Sequence, residues 1–343
     1  MKTGILLINL GSPDAPTAEK VRPYLRQFLS DPRVLDINPI IRMLILNLFI
    51  LPFRPAKSAH AYSQIWTKDG SPLISFGKSL TNKVQAILDK SDPDRFSVKL
   101  AMRYGNPSIE KAIMEFDKEG IIDITVLPLF PQYASASTGS AVEEVYRVSS
   151  KLWNIPHIKV VDPFYNHEKF ILDFAETFTT QTLGKSFDHY LFSYHGLPER
   201  HVKKSDLTHG KFCLQSESCC SAMTFENQHC YRAQCFETTR LLAVKLDIPK
   251  EKWSISFQSR LGRDPWIKPW TDAVIPELPK KGIKSLAIFS TAFVADCLET
   301  LEEIGIRAKD DFIKAGGESC QLIYSLNDND SWAQTVAELT RKS

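Results

Sequence analysis

Short aliphatic or β-branched runs that end in glycine, serine or proline alternate along this chain with longer stretches of helical character. That alternation is the mark of βαβ units, in which a crossover helix returns each strand parallel to the last. The pattern predicts strands at 4–10, 97–102, 123–129 and 157–162 in one half, and at 189–194, 253–258, 284–290 and 320–325 in the other. The two halves also look alike. Leu6-Leu7-Ile8-Asn9-Leu10-Gly11-Ser12-Pro13 can be laid over Leu191-Phe192-Ser193-Tyr194-His195-Gly196-Leu197-Pro198, and Gly120 to Thr138 over Gly282 to Thr300. Self-similarity of this kind suggests an internal duplication. The expected fold is α/β, with parallel sheets flanked by helices. One domain spans 1–165 and takes in a C-terminal helix at about 325–343; the other spans 166–324 and carries an insert at 210–235.

In open parallel sheets, ligands sit outside the carboxyl ends of the strands, so the residues after each run carry the functional signal. Here they read Gly11-Ser12-Pro13, Arg103-Tyr104-Gly105-Asn106-Pro107, Phe130-Pro131-Gln132-Tyr133, His195-Gly196-Leu197-Pro198, Gln258-Ser259-Arg260 and Ser290-Thr291-Ala292-Phe293. None is a glycine-rich phosphate loop of the dinucleotide or nucleotide-hydrolase kind. Prolines and aromatics at these ends point to a flat apolar ligand held between two domains. Lys and Arg number 42 against 40 Asp and Glu, so there is no basic field for nucleic acid.

The longest apolar stretch, 37–53, is broken by Asn38, Pro39, Arg42, Asn47 and Pro52, and falls short of the roughly 20 residues that span a bilayer. Two readings stand for it: a core helix followed by a loop, or an apolar lip at a pocket mouth in peripheral contact with lipid. Met1-Lys2-Thr3-Gly4 runs directly into an apolar strand with no cleavage site, which leads to the expectation of a cytoplasmic protein, peripheral at most to the inner membrane face.

His195 falls at a strand end before Gly196, where an imidazole would face the cleft. Glu299 follows the corresponding strand end of the same half, within Asp296-Cys297-Leu298-Glu299-Thr300-Leu301-Glu302-Glu303. Glu302 is expected to lie exposed in a first helical turn, where the helix dipole favours acids. Glu299 and Glu303, spaced four apart, share a helical face and could form a carboxylate path from solvent.

Several separated motifs, in one order, resemble the ferrochelatase family: Leu191 to Arg200, Gln258-Ser259-Arg260 with Pro265-Trp266, and Asp296 to Leu301. Asn9 to Pro13, Gly70-Ser71-Pro72-Leu73, Arg103-Tyr104 and Leu127 to Tyr133 add to the match, which covers nearly the whole chain. The resemblance implies two Rossmann-like domains of the chelatase type, insertion of Fe²⁺ into protoporphyrin IX to give protohaem, and His195 with Glu299 as the catalytic pair. Both, with Glu303 as an outer station, would also meet the metal. The chemistry asks for a weak metal ligand and a base titrating near neutrality, and imidazole supplies both. Tyr104 and Trp266 are candidates to stack on the macrocycle, and Arg103, Ser71 and Ser137 to receive its propionates. Leu10 stands where the coproporphyrin branch of the family tends to carry a metal-facing tyrosine, so the resemblance favours protoporphyrin. Cys297 stands where many relatives have histidine. A haem or siderophore carrier would share the paired domains but would need no base opposite a carboxylate.

Five of the seven cysteines, Cys213, Cys219, Cys220, Cys230 and Cys235, lie in one segment. Four thiolates suit either tetrahedral zinc or a [2Fe–2S] cluster, and the spacing matches the usual pattern of neither. Some bacterial ferrochelatases resemble this chain in an internal cysteine segment that holds a [2Fe–2S] cluster, which implies the same cofactor on four of the five. Cys219 and Cys220 are expected to contribute one ligand between them, because neighbouring side chains diverge on extended backbone.

Overall fold

The computed structural model describes residues 2–262 and 264–342. All eight expected strands form, in two four-stranded sheets that are parallel throughout. The first sheet holds β1 (Thr3–Ser12), β2 (Phe96–Gly105), β3 (Asp123–Pro128) and β4 (His157–Val160), in the order β2-β1-β3-β4. The second holds β5 (His189–His195), β6 (Trp253–Gln258), β7 (Ser285–Phe289) and β8 (Ser319–Ile323), in the order β6-β5-β7-β8. The two orders are the same order.

The hydrophobic pattern explains which strand is central. Ile5 to Ile8 of β1 and Leu191 and Phe192 of β5 are fully buried, as a strand covered by helices on both faces must be. Edge strand β4 instead alternates exposed with half-buried residues. In the first sheet, Phe116 and Ile113 from the helix Ile109–Lys118 pack on Leu6, Ile8 and Val126, together with Val145 from the helix Ser140–Ser149. Around β5, Phe192 stacks on Phe289 at 4.7 Å between ring centres, and Phe178 of the helix Glu168–Thr182 lies 5.3 Å from Phe289.

The chain divides into two compact units. One runs to Phe130 and takes in Ala134–Asp162 and the chain from Asn327 onward, including the helix Asp330–Lys342, which packs on the helix Pro72–Ser91. The other comprises Pro131–Tyr133 and Pro163–Leu326.

Among the described residues three helical segments are π-helical, with their hydrogen bonds widened to i→i+5: Leu46–Ile50, Ser135–Gly139 and Glu299–Ala308. The first continues the helix Pro39–Ile45, where the core-helix reading of 37–53 fails. Ile40, Phe49 and Phe53 are 65%, 66% and 72% exposed, while Leu46 and Leu51 are buried against Leu29. Asn38 caps this helix by accepting from the Ile40 N–H, so the segment is ordered by its own cap and two anchors, with its apolar face left outside.

Candidate active site

β5 ends on His195, half-buried, with Nδ1 2.7 Å from the Gly196 carbonyl oxygen. A carbonyl only accepts, so Nδ1 donates this bond, and in the neutral ring the free lone pair is therefore on Nε2. Gly196 is required by its surroundings. A Cβ there would lie 2.8 Å from the Gln258 carbonyl oxygen and 3.1 Å from the Trp266 ring, so the strand end and the indole close directly on the backbone. Gly11, its counterpart after β1, is likewise closed in by a neighbouring strand's carbonyl, that of Tyr104.

Beside His195 lies the π-helical turn that carries the acids. Glu299 is half-buried, and its backbone carbonyl accepts from the Gln258 side chain at 2.9 Å; Gln258 in turn accepts from Ser193 Oγ at 2.8 Å, on the β5 backbone just before His195. Glu303 is held by Ser259, whose N–H donates to one carboxylate oxygen at 2.9 Å and whose hydroxyl donates to the other. Ser259 adopts a positive φ of 65° to make both bonds, a conformation that L-residues with side chains rarely take. Burial pushes the Glu303 carboxyl above its usual pKa, against the pull of Ser259 and the His195 charge, and the Glu299 charge pushes the same way. His195, Glu299 and Glu303 therefore form one electrostatic group.

Neighbouring residues lock this turn. Asp296, buried, accepts from Thr300 Oγ1 at 2.9 Å and from the Ser325 N–H at 3.2 Å, and Cys297 is buried with its thiol in hydrogen-bond reach of Glu299. Glu302 departs from expectation. It is 7% exposed and ion-paired to Arg307 at 2.8 Å, because the wider turn faces it inward.

The residues expected at the macrocycle divide. Trp266 is half-buried over Gly196, its indole N–H donating to the Leu261 carbonyl. Leu10 is half-buried at the end of β1, Ser137 lies half-buried in the π-turn Ser135–Gly139, and Ser71 is buried before the helix Pro72–Ser91. Arg103 and Tyr104 are spent elsewhere. Arg103 pairs with buried Asp31 at 2.7 Å and donates to Ser140, while Tyr104 is 0% exposed and gives its hydroxyl to the same Asp31 carboxylate. A ring with no exposed face cannot stack on a ligand, and this guanidinium already has a buried carboxylate as its partner.

All five cysteines of the insert are buried free thiols. Cys219 and Cys220 do not diverge: their Sγ atoms are 3.7 Å apart, because the segment is a run of turns and not extended backbone. Cys230 lies beside Cys220 and Cys213, and Arg232 Nη1 is 3.1 Å from Cys220 Sγ. The neighbouring Cys230 thiol and burial together raise the Cys220 pKa, and the Cys213 thiol and burial push Cys230 up to about 12, so without a cation these groups are neutral thiols. Among the described residues, no group of three or more His, Cys, Asp or Glu is arranged to hold a metal ion. What shapes the insert is polar. Asp206 accepts from the N–H groups of Thr208, Phe212 and Cys213 and from the Thr208 hydroxyl, and fully buried Asn227 ties Cys219, Ala222 and Thr224 together through its amide.

A family model described as Ferrochelatase matches residues 2–343. The chain is 46% identical over 343 residues to the ferrochelatase of Coxiella burnetii (strain CbuK_Q154), covering 100% of this chain and 94% of that one. It is 44% identical over 342 residues to the ferrochelatase of Legionella pneumophila (strain Lens), covering 100% and 99%. Among solved structures, SirB from Bacillus subtilis with Fe³⁺ superposes with a TM-score of 0.55 at 13% identity, covering 100% of this chain and 95% of that one, a likeness of fold.

Proposed function

Because the chain belongs to the ferrochelatase family, whose members insert ferrous iron into a porphyrin in haem synthesis, we propose that His195 is the base of that insertion and that Glu299 and Glu303 serve the iron and the second proton. The porphyrin gives up two pyrrole N–H protons as Fe²⁺ binds its four nitrogens. The observation that carries this reading is the bond from His195 Nδ1 to the Gly196 carbonyl, which in the neutral ring puts the lone pair on Nε2, free to take a proton or meet a metal. Glu303, whose pKa burial raises above the usual carboxyl range, is better suited than an exposed carboxylate to hold a proton, and Glu299 stands between it and the strand end in sequence. Trp266, Leu10, Ser71 and Ser137 are the porphyrin contacts we assign. Apolar Leu10 favours protoporphyrin IX as the macrocycle.

The decisive experiment is anaerobic insertion by His195→Ala. Porphyrin fluorescence quenching should show binding within about twofold of wild type, while turnover falls at least ~10²-fold, the size of a general-base effect. Turnover above about a tenth of wild type would end the assignment.

We further infer that four of Cys213, Cys219, Cys220, Cys230 and Cys235 hold a [2Fe–2S] cluster. Buried soft donors in mutual contact, with a guanidinium at hand to offset thiolate charge, are the chemistry such a group needs, although their present spacing is not that of a loaded site. The cluster would supply cross-linking metal–thiolate bonds to a segment otherwise held by Asp206 and Asn227. Two iron and two sulfide per chain, with visible absorption lost in Cys230→Ser, is the expected result.

No single helix among the described residues is long and apolar enough to cross a membrane; only Pro39–Ile50 and Arg54–Ile65 together, bent by 68°, reach that length and composition. We assign the exposed apolar face of 40–53 to peripheral lipid contact.

A further inference from the structure

The peptide unit that roots the His195 imidazole is held from both sides, and the two holds differ in kind. On one side β5 stays paired with β6 up to His195 and Gln258, and the Gly196 N–H donates to the Gln258 carbonyl at 2.8 Å. In a trans peptide the carbonyl points the opposite way, toward β7. That strand has already ended: the β5–β7 ladder stops at Phe192 paired with Phe289. The His195 carbonyl is therefore an acceptor that the sheet no longer serves.

Tyr231 serves it. This residue opens the helix Tyr231–Lys245, is buried, and donates its phenol hydroxyl to the His195 carbonyl at 2.9 Å. The side chain comes from another element, 36 residues on, and occupies the place of the missing strand donor. Its own position is fixed by its neighbours. Cys230 precedes it at the helix cap, and the Cys235 thiol one turn later is in hydrogen-bond reach of the same phenol.

We propose that Tyr231 is a positioning residue for iron insertion: its hydroxyl fixes the His195–Gly196 peptide, and with it the direction of the imidazole. The inference rests on the reading of His195 as base. With the phenol bond lost, the peptide is held on the Gln258 side alone, and its plane can tilt. The Gly196 carbonyl that orients Nδ1 belongs to the next peptide, so the ring tilts with it. Misplacement by about an ångström costs on the order of 10²-fold in rate while leaving binding of a ring held by apolar area untouched.

The test compares wild type, Tyr231→Phe, His195→Ala and the double variant as full-length proteins under anaerobic conditions. Insertion of Fe²⁺ into protoporphyrin IX, porphyrin Kd by fluorescence and Tm are measured on each. The expected result for Tyr231→Phe is a kcat about 10- to 100-fold lower, porphyrin Kd within about twofold and Tm within a few degrees of wild type. In the His195→Ala background the same change should then cost nothing further, because the residue acts only through that ring. If kcat of Tyr231→Phe stays within about twofold while His195→Ala is inactive, the inference is wrong and the base assignment stands. If His195→Ala itself remains active, the premise falls and the inference with it. A loss of kcat, affinity and Tm together, or additive losses in the double variant, would show a merely structural tyrosine and overturn the proposal.

Discussion

His189 and His195 close the two ends of β5, and the chain treats their rings differently. His195 is half-open with its tautomer set by a carbonyl, whereas His189 is buried with a ring nitrogen 2.7 Å from Ser254 Oγ. Burial, aided by the Lys281 charge, pulls the His189 pKa down to about 4 from the usual 6.5. The unfolded chain therefore binds a proton between those values that the folded chain refuses. Stability is whole above pH 6.5 and falls as the pH drops toward 4, by up to about 3 kcal/mol. Thermal melts from pH 7 to 4.5 should show the decline, and His189→Asn should flatten it. At this scale the sequence is readable where a side chain's job follows from a strand end, as with the placement of His195 and Glu299. Jobs done toward distant backbone or distant partners leave no such mark. Tyr231 and Ser259 each answer one peptide group or carboxylate that only the fold brings near. Arg103 looks like a rim donor until Asp31, 72 residues back, is found beneath it.

Between the helix Glu199–Lys204 and the helix Tyr231–Lys245 the chain makes no strand and no long helix, yet its turns are specified by two side chains. Asp206 gathers four donors, and these hydrogen bonds hold its pKa down to about 2 against the opposing effect of burial. Asp206→Ala would leave the Thr208, Phe212 and Cys213 N–H groups without their acceptor and should cost about 2–4 kcal/mol. Circular dichroism melts measure that loss, and iron and sulfide analysis of the same variant should show less of the proposed cluster than wild type. Adjacency predicts divergent side chains at Cys219 and Cys220 only on extended backbone, and the cysteine positions carry no information about the turns that Asp206 and Asn227 impose. The apolar element 37–53 was legible as apolar but not as inward or outward, because its composition is the same either way. Its outward face gives a direct expectation: Phe49→Asp should weaken co-sedimentation with anionic lipid vesicles by about tenfold or more and leave Tm unchanged. Equal sedimentation of both proteins would return the segment to other uses.

Both sheets carry the same strand order, and the alignment of Gly120 to Thr138 with Gly282 to Thr300 places the π-turn Ser135–Gly139 over the start of Glu299–Ala308. The doubling was visible in the sequence because aliphatic strands and their closing glycines repeat in register; Gly11 and Gly196 are each closed in by a neighbouring strand's carbonyl. The widened turns were not visible, because a helix with one residue too many keeps the composition of an ordinary one. That surplus residue has a genetic consequence. Deleting the codon for Leu301 would let Glu299–Ala308 close into the common i→i+4 ladder, moving Glu302 and Glu303 one position, about 100°, around the helix axis while the chain beyond the turn keeps its register. Glu303 would leave the Ser259 clamp, and buried Glu302 would exchange faces with its neighbours. The shortened protein should bind porphyrin and keep its fold, yet insert iron at least about tenfold more slowly, as anaerobic turnover beside a melt would show. A lineage that ceased to need the reaction could therefore shed it through one three-base deletion.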